Sequence, residues 1–216
     1  MFRRWRLRGL QARYLESCRN LQEGRDYWRQ SSGLLRRILD FVSPVPLLGL
    51  QEDGARLLEA LNRLEADCRR QPLREEDIRA YHRLLGGPGD YRNGQAVVLD
   101  SKTPRPPFQK VPSLMMQLGD LLAAEQKALD DAADPDAVLG FALKVHQRIA
   151  FIHPFADGNG RVARLSMNHL LRRYGHGYVV LPPLSESPEH FSALEEAHRG
   201  NLQPFIELAR RHLHRV

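Results

Sequence analysis

The sequence predicts an all-α fold that carries one small β-hairpin flap. Apolar residues recur at intervals of three and four along most of the 216-residue chain, which is the spacing of helices with one buried face. A single segment, 95–100, breaks this spacing with consecutive β-branched and apolar residues. The composition, with 42% hydrophobic and 27% charged residues, is that of a globular domain with a sizeable core.

Seven helices are predicted after residue 50, from apolar faces and from signals at helix ends. Asp134 and Pro135 supply an N-cap and a first-turn proline for the fourth helix, and Gly175 closes the fifth as a C-terminal glycine. The glycines and the proline of 86–89 end the second helix. The predicted helices cover about 52–69, 74–85, 113–128, 135–152, 161–174, 188–199 and 204–213.

The exceptional segment 95–100 is predicted to be a strand of a hairpin or flap. An Asn-Gly pair precedes it and a proline-rich stretch follows it, which limits its pairing on one side. The two prolines and the glycine of 43–52 mark the best candidate boundary. They divide residues 1–50, an N-terminal helical extension and candidate regulatory segment, from a main domain over 51–216.

Charge and cysteine content exclude several classes of protein. The net charge is +6, but the basic residues are dispersed and aromatic residues make up only 7%, so we expect no nucleic-acid partner. The two cysteines lack a Cys-x-x-Cys spacing, which argues against a disulfide framework. No apolar run approaches the roughly 18 residues that span a bilayer, and no secretory leader follows the basic start. We therefore expect a soluble, cytoplasmic protein without membrane contact, with export as an effector as the alternative.

The most informative segment is the loop His153–Arg164, which lies between two predicted amphipathic helices. Gly158, Asn159 and Gly160 lead directly into the second of these helices. Glycines let consecutive N–H groups face one anion, and the unpaired donors of a helix N-terminus point to the same place. This arrangement predicts a binding site for phosphate oxygens.

The residues around this turn supply the remaining parts of a phosphoryl-transfer site. Asp157 is a hard oxygen ligand suited to Mg²⁺ shared with phosphates. Arg161 and Arg164 lie one helical turn apart, so both guanidinium groups could neutralise outer phosphates. His153 could take a proton from an attacking hydroxyl, and Phe155 would anchor the loop in the core. Together these residues suit in-line displacement at phosphorus.

Each of these features also has an ordinary structural interpretation. Asp-Gly and Asn-Gly are common in tight turns, and a single histidine at a helix end is usually structural. The ordered occurrence of all the parts within twelve residues favours chemistry instead.

The same twelve residues resemble the Fic family motif His-x-Phe-x-(Asp/Glu)-Gly-Asn-Gly-Arg-x-x-Arg and match it at every specified position. The resemblance extends over about 75–213. It implies an all-α, Fic-type helical core with the flap, so that 51–216 would be the catalytic domain. It also implies a nucleotidyltransferase that moves AMP from ATP onto a Ser, Thr or Tyr hydroxyl of a target protein and of itself.

The resemblance assigns a role to each residue of the loop and of the flap. His153 would be the base that activates the hydroxyl, and Asp157 would bind Mg²⁺. The phosphates would be bound by Gly158, Asn159, Gly160, Arg161 and Arg164. The flap residues Val97, Val98 and Leu99 would pair with the backbone of the target. Gly160 stands where the phosphate-transferring Doc branch carries a lysine, which favours nucleotide transfer.

Many Fic proteins are inhibited by a helix of the form (Ser/Thr)-x-x-x-Glu-(Gly/Asn), whose Glu pairs with the second motif arginine. Glu23, followed by Gly24, resembles this element, although Arg19 stands at the Ser/Thr position. Glu196 is a second, weaker match. We take Glu23 as the candidate inhibitory residue.

Two alternatives to AMP transfer stay open at this point. The same loop could transfer UMP, phosphocholine or phosphate, because the base pocket cannot be read from the sequence. A regulator that binds nucleotide or nucleic acid without turnover is the alternative from another class. The target protein and the oligomeric state are not predicted.

Overall fold

The computed structural model describes residues 48–98, 101–131, 134–181 and 187–214. The predicted N-terminal extension up to residue 47, with Glu23, lies outside the described residues, as does Leu99. Within the described ranges the chain is mainly helical with one small antiparallel sheet, which confirms the all-α fold class. The division near residue 50 stays a prediction.

All seven predicted helices are present in the described part of the chain, with bounds within a few residues of those expected. They are α1 Leu48–Asp67, α2 Glu75–Leu84, α3 Val111–Asp131, α4 Pro135–Ile152, α5 Asn159–Arg173, α6 Pro188–His198 and α7 Gln203–Arg211. A short 3₁₀ turn, Phe108–Lys110, precedes α3. The strands are β1 Tyr178–Val179 and β2 Leu213–His214.

The helix ends form where the sequence places its end signals. The carboxylate of Asp134 accepts a hydrogen bond from the Ala137 N–H at 2.9 Å, so it caps α4 as predicted. Gly175 adopts φ +80° after α5, a left-handed conformation that a glycine reaches without strain. Asp134 thus begins α4 and Gly175 follows the end of α5, the two helices that flank the motif loop.

Helix α5 lies at the centre of the fold. Thirteen of its 15 residues are buried, and its most extensive contact is with α4, to which the motif loop joins it. The core around this pair draws on every other helix, through residues such as Leu61, Ile78, Met115 and Phe205. Because both helices are held by this core, the two ends of the motif loop are fixed by packing.

Buried polar groups connect α5 to its neighbours. The Asn168 amide accepts a hydrogen bond from the Val179 N–H at 2.8 Å and donates one to the Val179 carbonyl at 3.1 Å, which attaches β1 to the helix. Farther along, the Arg172 guanidinium donates to both carboxylate oxygens of Glu65, and the Tyr178 hydroxyl donates to the same group at 2.6 Å. These pairs satisfy groups that would otherwise be buried without partners.

The small sheet does not include the segment that the sequence predicts as a strand. In the sheet, Tyr178 is opposite His214 and Val179 is opposite Leu213. Residues 95–98 form no strand, because no other described strand lies beside them to complete a ladder. The strand expected over 95–100 is therefore wrong for 95–98 in the isolated chain. None of the helices in the described ranges combines the length and the apolar character needed to cross a membrane.

Candidate active site

The motif loop begins at His153, which ends α4 in a strained backbone conformation. Its φ of 52° and ψ of 58° are left-handed, and it is the one non-glycine residue with positive φ among those described. Such a conformation costs about 1–3 kcal/mol and persists only where its surroundings enforce it. The ring is half-buried, with Nδ1 3.4 Å from the Ala150 carbonyl, so it is not packed into the core.

The middle of the loop is fixed by Phe155 and Asn159. The Phe155 ring is completely buried, as expected of an anchor. The Asn159 side chain is also buried, where Oδ1 accepts from the Phe155 N–H and Nδ2 donates to the Phe155 carbonyl, both at 2.9 Å. These hydrogen bonds of the Asn159 side chain fix the conformation of the loop. The backbone N–H of Asn159 is the group that can bind a phosphate.

Gly158 opens α5 in a conformation that favours glycine. Its φ is +75°, and the first intrahelical hydrogen bond runs from the Val162 N–H to the Gly158 carbonyl at 3.0 Å. The N–H groups of residues 159, 160 and 161 precede that bond, so α5 itself offers them no acceptor. With the positive end of the helix dipole behind them, they form a suitable cradle for an anion.

The two motif arginines differ in their surroundings. Arg161 lies at the edge of a cavity, and its Nη2 is 3.6 Å from Oδ2 of Asp157. The Asp157 side chain is 73% exposed, so its carboxylate is accessible beside the helix N-terminus. Both arginines are buried: Arg161 is 8% exposed and Arg164 is 1% exposed. The structure therefore places Arg161 beside the exposed Asp157 carboxylate at the cavity, and Arg164 deeper in the body of the domain.

A cavity of about 480 Å³ lies against the loop. It is lined by Ala156, Asp157 and Arg161, by Arg56 and His82, and by most of the segment 85–93. Its volume is within the range of sites for small molecules, and both cationic and anionic side chains line it. The cavity gives a polar ligand direct access to the Asp157 and Arg161 side chains.

Sequence reasoning did not identify His82 as part of this site. Its ring stacks on Phe155 with centroids 3.9 Å apart, and its Nδ1 accepts the Gly89 N–H at 3.2 Å. Burial lowers the pKa of His82, against the opposing effect of the nearby Asp157 carboxylate. A neutral imidazole therefore joins the cavity wall to the motif loop. A histidine on a helix next to a tyrosine gives no sequence signal for this role.

Arg92 is the second residue that the sequence does not single out. It is 7% exposed, and its backbone N–H donates to the Pro154 carbonyl at 2.8 Å. A single arginine before an Asn-Gly turn gives no sequence pattern from which such a contact could be predicted.

Glu196, the second match to the inhibitory element, lies in α6 and pairs with Arg199 on the surface.

Among the described residues, no group of three or more His, Cys, Asp or Glu side chains could hold a metal ion by itself. A single exposed carboxylate is nevertheless what Mg²⁺ requires when phosphates and water supply its other ligands. The position of Asp157 beside the helix N-terminus thus fits a metal that arrives with a nucleotide.

These features define a class of protein: a helical domain with an anion cradle at a helix N-terminus, flanked by an imidazole and a carboxylate. Residues 72–171 match the model of a family described as the Fic/DOC family. Residues 72–171 therefore form a Fic/DOC family domain.

Related proteins agree with this assignment. A protein adenylyltransferase Fic from Nematostella vectensis is 31% identical over 144 residues, which cover 63% of this chain and 31% of the relative. The chain thus spans about a third of the length of that curated relative. A structure of Fic-1 from C. elegans is 27% identical, with a TM-score of 0.69 over 93% of this chain and 59% of that one.

The fold extends to more distant proteins. A Fic domain containing signaling protein from Bacteroides thetaiotaomicron has a TM-score of 0.74 at 22% identity, over 97% of this chain and 86% of that one. At this identity the similarity shows the fold alone.

Proposed function

We propose that this chain is a protein adenylyltransferase that transfers AMP from ATP to a Ser, Thr or Tyr hydroxyl of a target protein and of itself. The observation that carries the proposal is the arrangement of the loop, in which an accessible imidazole and an exposed carboxylate flank the N–H groups that open α5. The names of the relatives, protein adenylyltransferase Fic, support it. We expect the protein to act in the cytoplasm, and we expect no nucleic-acid partner.

The loop residues divide the chemical work. The His153 imidazole takes the proton of the target hydroxyl, whose oxygen attacks the α-phosphorus of ATP. The bond from that phosphorus to the oxygen bridging it to the β-phosphate breaks, and pyrophosphate leaves. The N–H groups of residues 159–161 stabilise the negative charge on the transferring phosphate. Mg²⁺ bound at Asp157 would supply further neutralisation of phosphate charge.

The two arginines bind the outer phosphates. Arg161 can do so where it lies, once a nucleotide replaces its contact with Asp157. Arg164 is 1% exposed, so the outer phosphates reach it only after the groups that cover it have moved. We assign control of this step to Glu23, on the resemblance of its segment to the inhibitory element.

The segment before residue 99 is the docking site for the target chain. Val97 is 84% exposed, which is unusual for a large apolar side chain, and Val98 is half-buried. A target segment that pairs with this backbone would complete the ladder that residues 95–98 lack. Together with Leu99, these residues would position the target hydroxyl through backbone pairing, which depends little on the amino-acid sequence of the target.

Transfer of radiolabel tests the proposal. The chain is incubated with Mg²⁺ and either α-labelled or γ-labelled ATP, alone and with a cell lysate. Protein should acquire the α-label and not the γ-label, and His153→Ala should abolish the signal. His212→Ala, a histidine change outside the loop, is the matched control and should label like the parent protein. Transfer of the γ-label, or α-labelling that survives His153→Ala, would refute the assignment.

A further inference from the structure

Arg92 is attached to the turn that carries His153. Besides the backbone hydrogen bond to Pro154, its Nε donates to the His153 carbonyl at 2.8 Å, and its Nη2 lies 3.4 Å from the Ile152 carbonyl. These carbonyls lie at the C-terminal end of α4, where a helix leaves its acceptors unpaired and its dipole favours a cation. The guanidinium group thus caps the helix at the residue whose backbone is strained.

The same guanidinium group binds both ends of the flap segment. Nη1 donates to the Gly94 carbonyl at 2.6 Å, and Nη2 donates to the Pro106 carbonyl at 2.5 Å. These carbonyls lie 12 residues apart in the sequence, at the start and at the end of the segment that contains Val97. One side chain therefore fixes both ends of the flap at one place.

A second anchor lies on the far side of the flap. The buried carboxylate of Glu195, in α6, accepts hydrogen bonds from the Ser101 hydroxyl at 2.6 Å and from the Thr103 hydroxyl at 2.9 Å. The flap is thus held to α6 by Glu195 and to the His153 turn by Arg92. Arg92 connects the flap directly to the residue that carries the imidazole.

Among the described residues, the hydrogen bonds of the Arg92 guanidinium group all end on backbone carbonyls rather than on a carboxylate. A buried cation is costly to remove from water, and burial lowers the pKa of Arg92. Lysine, with its compact ammonium group, cannot reproduce a planar fork that reaches four carbonyls. The position therefore requires the geometry of arginine. If the residue acted only through its positive charge, lysine could replace it.

We propose that Arg92 is a positioning residue for the transfer reaction, because it sets the distance between the flap and the His153 imidazole. A target chain paired along the flap then presents its hydroxyl to the imidazole at the correct spacing. The proposal rests on the proposed function for its chemistry. Among the described residues, Arg92 makes no hydrogen bond to residues 157–164, which bind the phosphates in the proposed function.

Steady-state labelling with α-labelled ATP separates this role from a general structural one. Arg92→Met should lower kcat about 100-fold, the scale on which small displacements act, and Arg92→Lys about 10-fold. The KM for ATP should stay within about threefold of the parent value in both variants, since the nucleotide contacts are elsewhere. Arg172→Lys is the matched control, because Arg172 is also buried but binds Glu65 and the His176 carbonyl instead. It should lower the melting temperature and leave kcat near the parent value.

Amide hydrogen exchange supplies a readout that does not require activity. In Arg92→Met the amides of 93–98 and 153–155 should exchange faster, while those of 159–162 keep the parent rate. A kcat for Arg92→Met equal to that of the parent protein would overturn the proposal. So would an increase in the KM for ATP as large as the fall in kcat, or unchanged amide hydrogen exchange. If the parent protein transfers no label, the proposed function fails, and the exchange experiment still decides whether Arg92 holds the flap to the turn.

Discussion

Asn159 provides the sharpest test of how the loop is held. Asn159→Ala removes two buried hydrogen bonds and leaves the Phe155 N–H and carbonyl without partners. A net hydrogen bond contributes about 1 kcal/mol, and a buried group left unsatisfied costs about 1–3 kcal/mol. The free energy of unfolding should therefore fall by about 2–4 kcal/mol. Asn159→Asp should be at least as harmful, because it turns a carboxylate oxygen toward the Phe155 carbonyl.

Urea unfolding followed by circular dichroism measures this loss directly. Asn201→Ala is the control, since Asn201 accepts one hydrogen bond at 3.3 Å on the surface and its loss should cost no more than about 0.5 kcal/mol. AMP transfer by Asn159→Ala should fall about 100-fold at temperatures where the variant is folded, because the amides of α5 are displaced. If the free energies of unfolding of Asn159→Ala and Asn201→Ala agree within about 0.5 kcal/mol, the loop is held by groups other than the Asn159 side chain.

Three further predictions concern pH, metal and regulation. Burial lowers the pKa of His169 from 6.5 to about 4, so its contribution to stability is complete above pH 6.5 and is lost as the pH falls toward 4. That loss amounts to at most about 3 kcal/mol, and His169→Leu should flatten the measured dependence of the unfolding energy over this range. Asp157→Asn should raise the Mg²⁺ concentration needed for half-maximal transfer at least about tenfold, in a metal titration at fixed ATP. Glu23→Gly should increase self-labelling, and an unchanged rate would remove Glu23 from the regulatory account.

The helices and the motif loop could be predicted because their signals are local. Apolar spacing and end residues such as Asp134 and Gly175 act within a few positions of the helix that they define. The cradle at the start of α5 follows from the same local rules, since two glycines and a helix N-terminus lie in consecutive residues. The burial of Phe155 was expected for the same reason.

The rest of the site depends on contacts between distant segments. His82 reaches the loop by stacking on Phe155, 73 residues away in the sequence, and Arg92 reaches His153 across 61 residues. The burial of Arg164 could not be derived from its helical spacing, which predicted only that it would lie beside Arg161. The strand prediction failed at 95–98 because β propensity produces a strand only where a neighbouring segment completes the ladder.

The central claim is that the N–H groups opening α5 bind the phosphates of ATP beside His153. An amide nitrogen–proton NMR titration of the His153→Ala variant with ATP and Mg²⁺ tests it most directly, since this variant should bind without turnover. We predict that the resonances of residues 158–161 shift progressively and saturate together with that of Asp157. Resonances of 158–161 that stay fixed, while shifts spread over basic surface residues and vanish at high salt, would contradict the account.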